Sequence, residues 1–182
     1  VVNYNRSEAE AKDTAAECER LGTEAITHQA NVAEDSDCRG LAEAAVARWG
    51  RIDGLVNNAG ITKVAAGHDL DALSADDFHD IYAINVVGAY QMTRAVAPAM
   101  KRGGKGSIVN VSSIVGLVGG GSSTAYAASK GALNTLTLAL ARGLAPEIRV
   151  NALCPSFVET RWVTGKMSAE AYTNAKAAVE EA

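Results

Sequence analysis

The 182 residues are 48% hydrophobic, 21% charged and 5% aromatic, the profile of a soluble globular chain and not of a disordered, collagenous or low-complexity one. Lys+Arg 17 against Asp+Glu 21 leave a formal charge of −4, without the basic excess that a nucleic-acid partner requires. Cys18, Cys38 and Cys154 cannot all pair and none has zinc or redox-motif spacing, which fits a reducing cytoplasm.

Val1 to Tyr4 reads as a strand with no basic leader before it. Ser7-Glu8-Ala9-Glu10 fits a capping box, opening a helix that runs to Leu21 and stops at Gly22. Glu24 to Gln29 is the next strand. From Asp35, the spacing Cys38, Leu41, Ala45, Trp49 marks one helical face, Gly50 ends it, and Ile52 to Asn57 returns to a sheet. A long helical region follows from Ser74 to about Met100, then a strand over Ser107–Ser112, a helix over Thr124–Leu144 and a strand over Ile148–Leu153.

This alternation predicts one α/β domain over 1–182 built on a parallel sheet. GLVGGGSS at 116–123 reads as a loop over a cleft, because such loops follow the carboxyl ends of strands. The longest uncharged run, Gly106 to Ser129, carries five Gly and six Ser in 24 residues and is no membrane span.

Tyr126 and Lys130 stand at i and i+4, so a helix projects both from one face. Lowering a phenol by about three pKa units takes roughly 4 kcal/mol. One cation about 4 Å away in an effective dielectric near 20 supplies about that much, before desolvation opposes it. A second copy of the spacing, Tyr172 and Lys176, differs in context. Ser113 lies thirteen residues before Tyr126, where its hydroxyl can bond a reacting carbonyl, whereas Glu159 stands equally far before Tyr172 and would repel an oxyanion. The segment 172–176 is read as solvated helix.

Asn57-Asn58-Ala59-Gly60 ends a strand either as a plain turn or as a floor against which a flat ligand lies, its small residues permitting close approach. Asn85 interrupts an apolar helix and invites a kink or a bound water; taken alone it reads as a satisfied core Asn. His28, His68 and His79 have no ligand spacing, so no metal is expected. Lys101-Arg102-Gly103-Gly104-Lys105 reads as a solvated turn.

NNAG at 57–60, Asn85, Ser113, YAASK at 126–130 and Pro155-Ser156-Phe157-Val158-Glu159-Thr160 follow one another in the order and spacing that resembles the short-chain dehydrogenase/reductase family, over nearly the whole chain. Within it the chain is most similar to 3-oxoacyl-acyl-carrier-protein reductases. The resemblance implies a Rossmann-like doubly wound sheet and hydride transfer between a nicotinamide and a ketone or secondary alcohol. It implies Tyr126 as acid/base, Ser113 as holder of the substrate oxygen, Lys130 as cation and ribose ligand, and Asn85 as anchor of a proton-relay water. Asn58, Ala59 and Gly60 would line the adenosine side, with Asn31 and Val32 near adenine and Pro155, Ser156, Val158 and Thr160 near the nicotinamide. Homodimers or homotetramers through the faces of Ser74–Met100 and Thr124–Leu144 are implied as well.

The family begins with a strand and a Gly-rich turn that do not precede Val1, and its last strand does not follow, so the chain is expected to be an incomplete domain, inactive by itself. In the order 3-2-1-4-5-6 the strand at Val1–Tyr4 would then have nothing joining it to Ile52–Asn57. Ser156 replaces the family's usual Gly, and Asn31 its frequent Asp. Asn5 and Arg6 at the first strand's end favour NADP over NAD, since a cation accepts the 2′-phosphate. Leu70, Gly119–Gly121, Trp162 and Met167 are candidate pocket residues by position. The rival reading is a non-catalytic nucleotide-binding or interaction module.

Overall fold

The computed structural model describes residues 1–158 together with 172 and 173. Strand β1 (Val2–Tyr4) leads to helix α1 (Glu8–Arg20), β2 (Thr27–Gln29), α2 (Asp35–Trp49) and β3 (Gly54–Asn57). A single 3₁₀ turn at Leu70–Ala72 precedes α3 (Ala75–Tyr82), which passes through a π-helical turn at Ala83–Gly88 into α4 (Ala89–Arg102). Then come β4 (Gly106–Val111), a short α5 (Val115–Val118), α6 (Thr124–Leu144) and β5 (Ile148–Leu153).

All pairing is parallel, as crossover helices demand. The sheet lies in two pieces, β1-β2 and β3-β4-β5, and β1 is not bonded to β3, as the expected strand order requires. Val56 in β3 is accordingly 64% exposed, unusual for an apolar residue in a parallel strand. The two pieces share one core. Ala30 and Val32 after β2 pack with Cys38, Leu41 and Ala42 of α2, with Met92, Val96 and Met100 of α4, and with Ile108, Ile148 and Val150 of β4 and β5.

Several boundaries differ from expectation. Ser7 is the N-cap of α1, but its side chain makes no capping bond, so the expected box is not closed. Ser74 and Asp77 close one instead, at the start of α3. Strand β2 covers only the end of the Glu24–Gln29 run, and the expected loop at 116–123 includes the helical turn α5. Its remainder, Gly119-Gly120-Gly121, has φ near +78°, +84° and +79°, a left-handed run open only to glycine. Tyr172 is half-buried with its ring 5.6 Å from that of Phe157, which corrects the solvated reading at that position; Lys176 lies outside the described residues.

Candidate active site

The first turns of α6 carry the site, and five side chains hold them. The Ser123 hydroxyl caps the helix by accepting the Tyr126 amide proton at 3.2 Å. Ser129 donates to the Tyr126 carbonyl at 2.7 Å and accepts from Asn85 Nδ2 at 3.0 Å. Buried Ser112, at the end of β4, donates to the Lys130 carbonyl at 3.1 Å, and Lys130 Nζ donates to the Val111 carbonyl at 2.8 Å. Sequence reasoning missed Ser112, Ser123 and Ser129. Only Ser123 carried a legible signal, as a hydroxyl residue just before a helix.

Asn85 lies in the π-helical turn, where the expected interruption of the helix is found. It is 1% exposed and its amide is bonded at both ends: Oδ1 accepts from the Ile61 amide at 2.8 Å, and Nδ2 donates to the Ile61 carbonyl as well as to Ser129. The loop after β3 is thereby tied to α6. A methyl placed on Gly60 would stand 3.4 Å from Asn85 Oδ1 and 3.8 Å from Lys130 Nζ, so the glycine keeps this floor low beside the lysine.

The Ser113 hydroxyl stands near enough to the Tyr126 phenol to favour its ionised form, while donating to the Pro155 carbonyl at 3.4 Å and accepting from the Val115 amide at 3.4 Å, and Lys130 Nζ lies 5.5 Å from the centre of the ring. Burial pushes the phenol above its ordinary value of 10.0, and the Ser113 hydroxyl opposes that rise. Burial also pulls Lys130 down to about 8. From the i, i+4 spacing alone the lysine is expected to lower the phenol. Here desolvation of both groups wins, because the ammonium sits over the ring and bonds a backbone carbonyl.

The remaining candidate residues gather at the carboxyl ends of parallel strands, where open α/β sheets bind ligands. Asn5 and Arg6 are exposed just past β1, and the Asn5 carbonyl accepts from Gln29 Nε2 at 3.0 Å. Asn31 Oδ1 accepts from the Ala33 amide at 3.2 Å, and the Val32 carbonyl accepts from Gln91 Nε2 at 2.9 Å. Asn58 and Ala59 are exposed past β3. Past β5, the Pro155 carbonyl accepts from the Ile114 amide at 3.0 Å, while Ser156 and Val158 are exposed. Thr160, Trp162 and Met167 lie outside the described residues.

Gly119–Gly121 line a cleft of about 430 Å³ with Ala127, Ala128 and Gly131, but Ser113, Tyr126 and Lys130 are not among its walls. Leu70 is 83% exposed. Among the described residues no His, Cys, Asp or Glu cluster could hold a metal ion, and no helix is long and apolar enough to cross a membrane.

The family model for short chain dehydrogenase matches residues 1–171. Among curated relatives, a ketoacyl reductase ascribed to the granaticin polyketide synthase of Streptomyces violaceoruber is 42% identical over 162 residues, 89% of this chain and 64% of that protein. The 3-oxoacyl-[acyl-carrier-protein] reductase of Thermotoga maritima is 40% identical over 145 residues, 79% of this chain and 58% of its own length. The chain therefore spans less than two thirds of either relative. A gluconate 5-dehydrogenase from Burkholderia cenocepacia, solved with NADP and tartrate, superposes with a TM-score of 0.79 at 34% identity, covering 90% of this chain and 63% of that one. An NAD⁺-bound xylitol dehydrogenase gives 0.75 at 36% identity, over 81% and 56%. Parallel α/β architecture, the ordered motifs and the match over nearly all of its length agree, and the chain belongs to the short-chain dehydrogenase family.

Proposed function

We propose that the protein is an NADP-dependent oxidoreductase interconverting a ketone and a secondary alcohol, with a 3-oxoacyl thioester as its substrate class. The observation that carries this reading is the Ser113 hydroxyl beside the half-buried Tyr126 phenol, with Lys130 over the same ring. When bound, a nicotinamide dinucleotide supplies or accepts the hydride. The low floor at Gly60 and the exposed residues past four strand ends suit a flat, extended ligand.

Tyr126, its phenol raised by burial above the ordinary 10.0, is protonated at neutral pH, the form that donates a proton to a carbonyl oxygen in the reductive direction. Ser113 holds that oxygen beside the phenol. Lys130, protonated below about 8, binds the nicotinamide ribose and steadies the phenolate once the proton has left. Asn85 anchors the relay that returns a proton, and Arg6 with Asn5 receives the 2′-phosphate. Asn31, Val32, Asn58, Ala59 and Gly60 would line the adenosine side and Pro155, Ser156 and Val158 the nicotinamide side, to which the family resemblance also assigns Thr160. The thioester class rests on the two ketoacyl reductase relatives, and a cytoplasmic homodimer or homotetramer is what the family resemblance implies.

The test follows NADPH and NADH absorbance with acetoacetyl thioesters and a ketone panel, using the full-length gene product. NADPH consumption with the thioesters is the expected result. Binding of NADPH without turnover of any carbonyl would favour the non-catalytic module.

A further inference from the structure

Ser113 and Tyr126 belong to different elements. Ser113 is fixed to α5, because its carbonyl accepts the Gly116 amide proton at 3.1 Å. Tyr126 is fixed to α6 by Ser123 and Ser129. The two elements meet at Gly116. A Cβ built there would lie 2.6 Å from the Lys130 carbonyl carbon, 2.7 Å from the Gly131 nitrogen and 2.9 Å from Lys130 Cβ. Two of these three are backbone atoms, so no rotamer change relieves the contact, and the elements must part by several tenths of an ångström. Across the same seam, a Cβ on Gly131 would lie 3.2 Å from the Gly116 carbonyl oxygen. On its other side the α5 turn is held by the Pro155 carbonyl, which accepts from the Ile114 amide at 3.0 Å and from the Ser113 hydroxyl at 3.4 Å.

We propose that Gly116 is a positioning residue, whose missing side chain sets the separation between α5 and α6 at which the Ser113 hydroxyl reaches the Tyr126 phenol. This rests on the roles given to Ser113 and Tyr126 above. Hydrogen bonds weaken steeply with distance and misalignment, so a methyl at 116 acts at the phenol without touching it. Its effect is that of losing Ser113.

The experiment compares Gly116→Ala, Gly131→Ala, Ser113→Ala, Tyr126→Phe and the Ser113→Ala/Gly116→Ala double variant of the full-length gene product. Gly116→Ala is expected to lower kcat on the order of 100-fold, as removal of a donor to the reacting oxygen does, with the KM for NADPH within about threefold. Gly131→Ala, with its looser contact, gives a smaller fall in the same direction. The double variant is expected to fall no more than about threefold below Ser113→Ala alone, because both changes remove one interaction.

An ultraviolet titration of tyrosinate, read as the difference from Tyr126→Phe, is expected to move to higher pH in Gly116→Ala and Ser113→Ala alike. That readout needs no turnover. If Gly116→Ala does not fold, Gly131→Ala carries the comparison. Wild-type kcat with an unmoved titration, or a double variant that loses the product of both single effects, overturns the proposal. Unchanged turnover in Tyr126→Phe would instead overturn the acid/base reading, with the titration still reporting on Gly116.

Discussion

Asn85 and Ile61 form a closed pair, the Ile61 amide donating to Oδ1 at 2.8 Å and Nδ2 donating back to the Ile61 carbonyl at 3.0 Å. Because Nδ2 also reaches Ser129, this one side chain joins the loop after β3 to α6. The π-helical turn is what places Asn85 there.

Asn85→Ala leaves the half-buried Ile61 amide and carbonyl without these partners. The variant is expected to lose about 2 kcal/mol of stability. Urea denaturation of wild type and variant measures it, as a lower midpoint at unchanged slope.

Lys130 produces a specific pH dependence. The unfolded chain keeps this proton to about 10.5, whereas the folded protein releases it near 8, so between those values the unfolded state binds more protons and stability rises with pH. Cys38 works in the opposite direction from its ordinary 9.0, since burial holds its thiol up to about 11, and Tyr126, also raised, opposes the rise above 10.0. The clean window is therefore about pH 8 to 9. In Lys130→Met the rise is expected to vanish and stability at pH 7 to increase by an amount on the order of 1–3 kcal/mol, the relief of a buried charge. Urea midpoints across this window decide it.

Arg6 is exposed at the end of β1, where a dinucleotide's ribose would lie. With the full-length gene product, Arg6→Ser is expected to raise the KM for NADPH about tenfold, corresponding to one charge-assisted contact. The KM for NADH should change little. Equal changes for both cofactors would remove Arg6 from the 2′-phosphate site.

Much of this was legible in the chain. The bounds of α6 and β5 follow from strong local patterns, a hydroxyl residue before a long apolar periodicity and an alternating run after it. Asn85 announced an interruption because an amide in an apolar helix competes for backbone partners. The capping box at Ser7 failed although its letters were right, while the one at Ser74 formed, since side-chain geometry and not residue type closes the motif. Ser112, Ser129 and Gly116 were hidden for another reason. Their partners lie on other elements or on the far side of a helical turn, so their roles exist only once β4, α5 and α6 are packed together. The direction of the phenol's shift was hidden likewise, because spacing shows the lysine but not how deeply both groups are buried.

The most direct test of the central claim is Tyr126→Phe in the full-length gene product, with turnover of an acetoacetyl thioester and NADPH affinity measured side by side. The account predicts a fall in kcat of about 10²- to 10⁴-fold, the range for loss of a general acid, while the NADPH dissociation constant stays within about threefold. Turnover equal to wild type would contradict it and remove Tyr126 as the proton donor.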